Sequence, residues 1–337
     1  NRFGVSKDVI RVSLRLLANE GLLVRIRSKG TFVSDKLVQK EHLHVMLTAC
    51  QNPLGQNMIH QGIEAGIGKL NYDIIVKNIG YNNIIAEAEY FEKIDLSRFA
   101  AMVITAAVDS NDNDNSELFN RLLKHGIPLV FIDHELKNVA ADAVYFDEFC
   151  STQEMAKDTL EKCGGGKLAV LTSGKPNRIV RDRNLALNTV SKTISSSKDV
   201  MVVDIDDESD DHEKNAEKFC SAIYKADFQP EVILLSGSVI GWEIFKRMRM
   251  DGRHHQLKAI GAVCDGIWGD EEYNRLLNGY YRLYDEFVPS LTEILLRRLD
   301  RHVPTSVPMV KKVKFRPMSY THAAQYFAEA CIPQVKY

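Results

Sequence analysis

The sequence predicts an α/β protein whose larger part is a two-lobed region of mostly parallel sheet, preceded by a small basic module of helix and hairpin. From His44 onward, short apolar runs alternate with amphipathic segments, and an alternation repeated this often builds a parallel sheet covered on both faces. About 270 residues carry that pattern, more than one doubly wound unit uses, so two lobes share it. The first 35 residues differ: a helical period gives way to a period of two. At 337 residues and 45% hydrophobic content, the chain can fill a large core.

In chain order, Ser6 is a good N-cap, Asp8 suits the first turn, and Gly21 follows the last periodic residue as a stop, which makes "KDVIRVSLRLLANEG" one helix. Ile10, Leu14 and Leu17 form its buried stripe, while Lys7, Arg11 and Arg15 recur every fourth residue on a cationic face. Val24 and Ile26 then alternate with Arg25 and Arg27, Ser28-Lys29-Gly30 turns, and Thr31-Phe32-Val33 returns. The polar stretch 36–42 is a linker. Strands follow at 44–49, 73–78, 100–107, 128–133, 143–146, 168–173, 200–204, 232–236, 259–263 and 280–284. Helical patterns between them include 56–70, 84–94, 117–125, 151–162, 214–225 and 240–250. The expected organisation is a module over 1–35, the linker, a two-lobed domain over 43–320 and a tail over 321–337. Within the domain, the first lobe takes about 43–148 plus a C-terminal crossover, and the second about 149–280.

A formal charge of -2 and a pI near 6.6 exclude a protein that coats nucleic acid or membrane with its whole surface. The charge is uneven, with +4 in residues 1–35 and -6 in the remainder. A capped helix that offers Ser, Lys and Arg beside a basic hairpin suits a DNA groove, the helix meeting base edges and the hairpin phosphates. No apolar run reaches membrane-spanning length and no export-type start is present, so a cytoplasmic protein is expected. Six cysteines lie far apart without a C-x-x-C pair, which points to free thiols rather than a disulfide framework or zinc knuckle.

The stretch "FGVSKDVIRVSLRLLANEGLLVRIRSKGTFVSD" resembles the second half of the winged helix-turn-helix of GntR-type transcription regulators over some thirty positions. The resemblance implies that Ser6, Lys7, Asp8 and Arg11 face DNA from the recognition helix, and that Arg25, Arg27, Lys29, Gly30 and Thr31 form the wing. Lys7 replaces the usual Arg, Asp8 and Val9 occupy a Thr-rich stretch, and Ser28 stands where a wing Gly is common, so the operator sequence does not transfer. The first helix of that motif and most of its second are expected to be missing ahead of Asn1.

Ligands of open parallel sheets bind beyond the carboxyl ends of the strands. Those ends carry Gln51 and Asn52, Asp133 and His134, Arg181 and Arg183 in a loop, Ser236 and Ser238, Asp265 and Trp268, and Asp285. Such amide, carboxylate, guanidinium, hydroxyl and ring groups suit a polyol, whose hydroxyls both donate and accept and whose apolar face a ring covers. Segments including "GIPLVFIDHEL", "PEVILLSGSVIGWEIFKRMRMDG" and "AIGAVCDG" resemble the effector domain of LacI/GalR-type repressors, which is similar to periplasmic sugar-binding proteins. That resemblance implies sugar contacts from Asp133, Arg181, Ser236-Gly237 and Asp265. The family's N-D pair is replaced by Ser236-Gly237, and His134 stands where Arg is frequent, so the sugar does not transfer. Together the two resemblances imply an arabinose-repressor-like regulator: a homodimer that binds operator DNA and a small carbohydrate effector, without a cofactor, metal or membrane partner.

Other motifs read as structure. "CGGGK" at 163–167 lacks the spacing of a phosphate loop and precedes a strand, so it is a turn. "DSNDNDNS" at 109–116 begins like a calcium loop but has Asp114 in place of Gly and Asn120 in place of Glu, so it is a solvated loop. "DIDDESDD" at 204–211 is exposed charge, and His254-His255 is surface. No G-x-S-x-G or H-E-x-x-H is present, and an enzyme is not expected. Two alternatives keep the two lobes: a regulator of a phosphosugar, nucleoside or other anionic metabolite, which Arg181, Arg183 and His134 suit, and a transport-type sugar-binding protein.

Overall fold

The structure, a computed structural model, describes residues 6–19, 23–26, 30–33, 43–48, 53–70, 72–79, 83–109, 112–173, 178–194, 199–205, 211–300 and 307–331. Arg27, Lys29, Gln51, Asn52, the stop at Gly21, the linker 36–42 and the end of the expected tail lie outside those residues.

Helix α1 (Lys7–Asn19) starts as its sequence requires: the Val9 N–H donates to Ser6 Oγ at 3.3 Å, a side-chain cap. Strands β1 (Leu23–Ile26) and β2 (Gly30–Val33) pair antiparallel, Arg25 opposite Thr31 and Ile26 opposite Gly30. Gly30 has φ 123°, a value that glycine adopts without Cβ strain at a hairpin turn. Lys7, Arg11 and Arg15 are exposed, as is Arg25. The expected buried stripe is not buried: α1 packs on β1, which leaves Ile10 39% and Leu17 38% exposed.

The first lobe contains β3 (His44–Thr48), α2 (Pro53–Ile67), β4 (Asp73–Lys77), α3 (Ile84–Lys93), β5 (Phe99–Thr105), α4 (Ser116–Lys124), β6 (Leu129–Ile132) and β7 (Asp142–Phe146). The second contains α5 (Glu148–Lys162), β8 (Leu168–Ser173), α6 (Arg178–Ser191), β9 (Val200–Ile205), α7 (His212–Lys225), β10 (Val232–Leu235), α8 (Ser238–Met250), β11 (Ala259–Cys264), α9 (Glu271–Leu276) and β12 (Leu277–Tyr281). The chain then returns through α10 (Tyr284–Leu299), β13 (Val310–Val313), β14 (Arg316–Pro317) and α11 (Tyr320–Cys331).

The lobes hold one sheet each. The order is β4-β3-β5-β6-β7-β13 in the first, all parallel, and β9-β8-β10-β11-β12-β14 in the second, with only β14 antiparallel. In the first lobe Val45 and Val103 on one face and Met46 and Met102 on the other are fully buried, as are Val170 and Leu234 on one face and Ala169 and Ile233 on the other in the second, the sign of strands covered on both faces. Helix α10 belongs to the first lobe, where it lies along α2. An ideal Cβ on Gly62 would stand 1.9 Å from Val288 Cγ1, and one on Gly66 2.0 Å from Thr292 Cγ2, so the glycines permit that close approach.

Three connections join the lobes: β7 to α5, β12 to α10, and β13 to β14. The ten expected strands of the two-lobed region are present, but the last one shifts. Tyr284 opens α10 rather than ending a strand, because the strand begins earlier, at Leu277. Part of the expected tail is α11, whose Ala323 and Phe327 are buried with Tyr281 and Leu283. "CGGGK" is a turn, with Gly164, Gly165 and Gly166 at φ 69°, 79° and 137° and the Gly165 N–H donating to Leu160 O at 3.0 Å. His254 is not simply a surface residue: its side chain is 13% exposed and its Nε2 lies 3.4 Å from Glu272 Oε1.

Candidate functional site

The three connections meet at the bottom of the cleft. Glu148 opens α5 on the first, Arg282 follows β12 on the second, and Phe315 lies between β13 and β14 on the third. Glu148 Oε2 accepts from Arg183 Nε at 2.7 Å, and Oε1 accepts from Arg282 Nη2. Arg282 Nε lies 3.1 Å from Asp265 Oδ1, and Arg183 Nη2 lies 3.7 Å from Asp265 Oδ2. Arg183 Nη1 also donates to Ser236 O at 2.7 Å, so β10, β11 and α6 join the same network. The Arg282 guanidinium lies 5.4 Å from the Phe146 ring centre, and both guanidiniums lie within 5.8 Å of the Phe315 ring centre. Glu148, Arg183 and Arg282 are buried, and charges removed from water persist only when paired and hydrogen-bonded. Burial raises the pKa of Asp265, but Arg282 and Arg183 outweigh it and hold that carboxyl below its ordinary range.

Above this floor is a cavity of about 340 Å³, bounded by Asp133, His134, Tyr145, Phe146, Arg178 and Asp182 among others. Asp133 follows β6 with φ 73°, a left-handed conformation unusual for a residue with a Cβ, and one that marks a position over-determined by its surroundings. Burial lifts its pKa to about 6 despite Arg282 and Arg183. Burial and then Arg178 depress His134 to about 4, so its imidazole is neutral at pH 7; its Nε2 is buried and has no hydrogen-bond partner among the described residues. Burial also raises Asp182. A second hollow of about 280 Å³ shares Arg178 and Asp182 and adds Asp112 and Arg181. Two contacts span the lobes here: Arg178 Nη1 donates to Glu135 O at 2.8 Å, and Arg181 pairs with Asp112.

Of the residues expected to bind ligand, Asp133 and His134 border the larger cavity, Arg181 borders the second hollow, and Arg183 and Asp265 form the floor. Arg181 and Arg183 are not in a loop. They occupy α6, where Arg183 turns inward to 5% exposure and Arg181 faces Asp112. Ser236 contributes its carbonyl oxygen to Arg183, and Ser238 is buried at the start of α8, with its carbonyl oxygen accepting from Tyr273 OH at 2.9 Å. Trp268, 44% exposed, and Asp285, paired with Arg316 on an exposed turn of α10, border neither hollow. The site also contains Glu148, Arg282, Arg178 and Asp182, none of which is among the residues expected from the strand ends. A signal existed for Glu148 and Arg282, since each is a charge set in or beside an aromatic strand, "VYFDEF" and "YYRLY". The loop at 109–116 proves to carry a cleft residue, Asp112, at φ 61°.

No family model matches the chain. Over 139 residues it is 24% identical to the arabinose metabolism transcriptional repressor of Halalkalibacterium halodurans, covering 39% of this chain and 36% of that protein. The match thus spans about a third of that relative's length. Among solved structures, GanP, a glucose-galactose binding protein from Geobacillus stearothermophilus, superposes with a TM-score of 0.63 at 14% identity, covering 84% of this chain and 99% of that one. The lac repressor dimer bound to operator and the anti-inducer ONPF gives 0.63 at 13% identity, covering 85% and 96%. The two lobes therefore have the fold shared by periplasmic-binding-protein-like domains and LacI-type effector domains. No helix among the described residues is long and apolar enough to cross a membrane.

Proposed function

We propose that this chain is a ligand-responsive transcription regulator that binds operator DNA as a homodimer in the cytoplasm and changes its DNA affinity when a small carbohydrate occupies the interlobe cleft. The observation that carries this reading is the conjunction, in one chain, of an exposed cationic helix face beside a two-stranded hairpin with a polar-floored cleft between two lobes. The sequence pattern of residues 3–35 supports a GntR-type winged helix as the reading head, with Ser6, Lys7, Asp8 and Arg11 toward bases and Arg25, Arg27, Lys29, Gly30 and Thr31 on the wing. The partial relationship to an arabinose repressor supports carbohydrate sensing.

Mechanistically, Glu148 and Arg282 stand on two of the connections that must bend if the lobes move, and their ion pair ties those connections to the cleft floor. A ligand held between Asp133 and His134 of the first lobe and Asp182 of the second, above the floor, stabilises one angle between the lobes. Only its differential affinity for the two arrangements can shift the spacing of the DNA-reading heads in a dimer. A transport-type binding protein shares the fold, but the cationic helix and hairpin have no role in it. Anisotropy titration of promoter DNA by the full-length protein tests the proposal. Arg11→Ala should relax base discrimination, whereas Lys29→Ala should weaken binding to every sequence and reduce the salt slope by about one. Absence of DNA binding even at low salt refutes it.

A further inference from the structure

We infer that the cleft takes a hydroxylated ligand bearing an amino group, a cationic polyol, in preference to a phosphorylated one. This rests on the reading of the cleft as the effector site and names the chemistry of its occupant.

The inference follows from which cleft charges are already spent. Arg183 is consumed by Glu148 and the Ser236 carbonyl oxygen, Arg282 by Glu148 and Asp265, and Arg181 by Asp112. Arg178 gives Nη1 to the Glu135 carbonyl oxygen and Lys312 lies 5.5 Å from the centre of the Tyr145 ring; neither partner is an anion, so both charges count in the balance of the cavity. The arginines that make the cleft look anion-binding in the sequence therefore already have partners. The carboxylates do not match them. Five acids and two bases line the larger cavity, and adding Arg183, Arg282 and Asp265 from the floor still leaves an excess of two negative charges among the described residues. Asp133 and Asp182 line that cavity without an ion-pair partner among the described residues; Arg282 and Arg183 act on the first and Arg178 and Arg181 on the second from beyond ion-pair distance, yet burial outweighs them and raises both.

A phosphate dianion brought here would meet incompletely compensated carboxylates at a low effective dielectric, where like-charge contacts cost most. A neutral sugar would leave the imbalance in place. An ammonium group would relieve it, donating to Asp133 and Asp182, while the unpartnered His134 Nε2 offers a hydrogen-bonding group to a ligand hydroxyl, which can both donate and accept, and Tyr145 and Phe146 cover an apolar face.

Calorimetric titration and thermal shift at pH 7.5 test the inference with D-glucose, D-galactose, their 2-amino analogues and their 6-phosphates. At least one amino sugar should bind tenfold or more tighter than its parent hexose and its phosphate, and Asp182→Asn should abolish that preference. Without ligand, Asp133→Asn and Asp182→Asn should each raise the melting midpoint by about 2 °C, because each removes an incompletely compensated charge, and Asn tolerates the left-handed turn at position 133. Tightest binding of a phosphate ester, or equal binding of hexose and amino sugar, overturns the amino-group inference while the carbohydrate reading stands. A lowered midpoint in both variants overturns it as well, since it shows the carboxylates to be compensated. Silence of every probe overturns both readings.

Discussion

On the cleft floor Glu148 gives each of its carboxylate oxygens to a guanidinium, whereas on the wall above it Asp133 and Asp182 have no ion pair among the described residues. Both regions take carboxyl groups out of water, but only the floor returns the lost solvation through charge-assisted hydrogen bonds. The wall instead shows the cost of burial, with Asp133 raised to about 6 and Asp182 raised as well. The difference separates structure from recognition: a balanced ionic network locks the hinge connections, and an unbalanced one waits for a partner.

The largest expected effect lies on the floor. Glu148→Ala leaves Arg183 and Arg282 buried without their shared acceptor and should destabilise the protein by about 3–5 kcal/mol in denaturant titration, with Glu148→Gln closer to wild type. A loss below about 1 kcal/mol would show that the network relaxes toward water. Next is His134, whose folded pKa of about 4 lies below its ordinary 6.5. The unfolded state binds the proton more readily, so this group costs stability as pH falls from 6.5 to 4 and nothing above. His134→Gln should flatten that loss by about 2–3 kcal/mol, and an unchanged acid limb between pH 6.5 and 4 would contradict the assignment.

Asp133 has the opposite sign. Its folded pKa of about 6 exceeds the ordinary 3.8, so the native state holds the proton longer and stability declines as pH rises from 3.8 through 6. Asp133→Asn should therefore gain about 1–2 kcal/mol above pH 6 and little below pH 4. A gain independent of pH would mean that backbone strain, not charge, is relieved. The smallest effect belongs to the exposed pair between the lobes: Asp112→Asn should cost under about 1 kcal/mol, yet widen the solution scattering profile of the ligand-free protein.

The sequence made the β-α alternation of both lobes legible because strands buried on both faces read as unbroken apolar runs. It hid β13 and β14, since "VKKV" and "RP" are short, charged and largely exposed edge segments. It also hid α6, whose "RIVRDRNLALNTVS" mixes charges on two faces, one sealed in the floor and one reaching across the cleft. Strand ends pointed to Asp133, His134 and Asp265 because chain direction fixes where a parallel sheet opens. The bond between Glu148 and Arg282 spans 134 residues, a separation that no local pattern reports. The exposed apolar stripe of α1 teaches a related lesson: periodicity identifies the face that needs a partner, not whether one is present.

The most direct test measures the dissociation constant of promoter DNA for the full-length protein, with and without a saturating concentration of whichever sugar probe gives the largest thermal shift. The account predicts at least a fivefold change that Asp133→Asn diminishes. An identical constant in both conditions, with the sugar demonstrably bound, would contradict it.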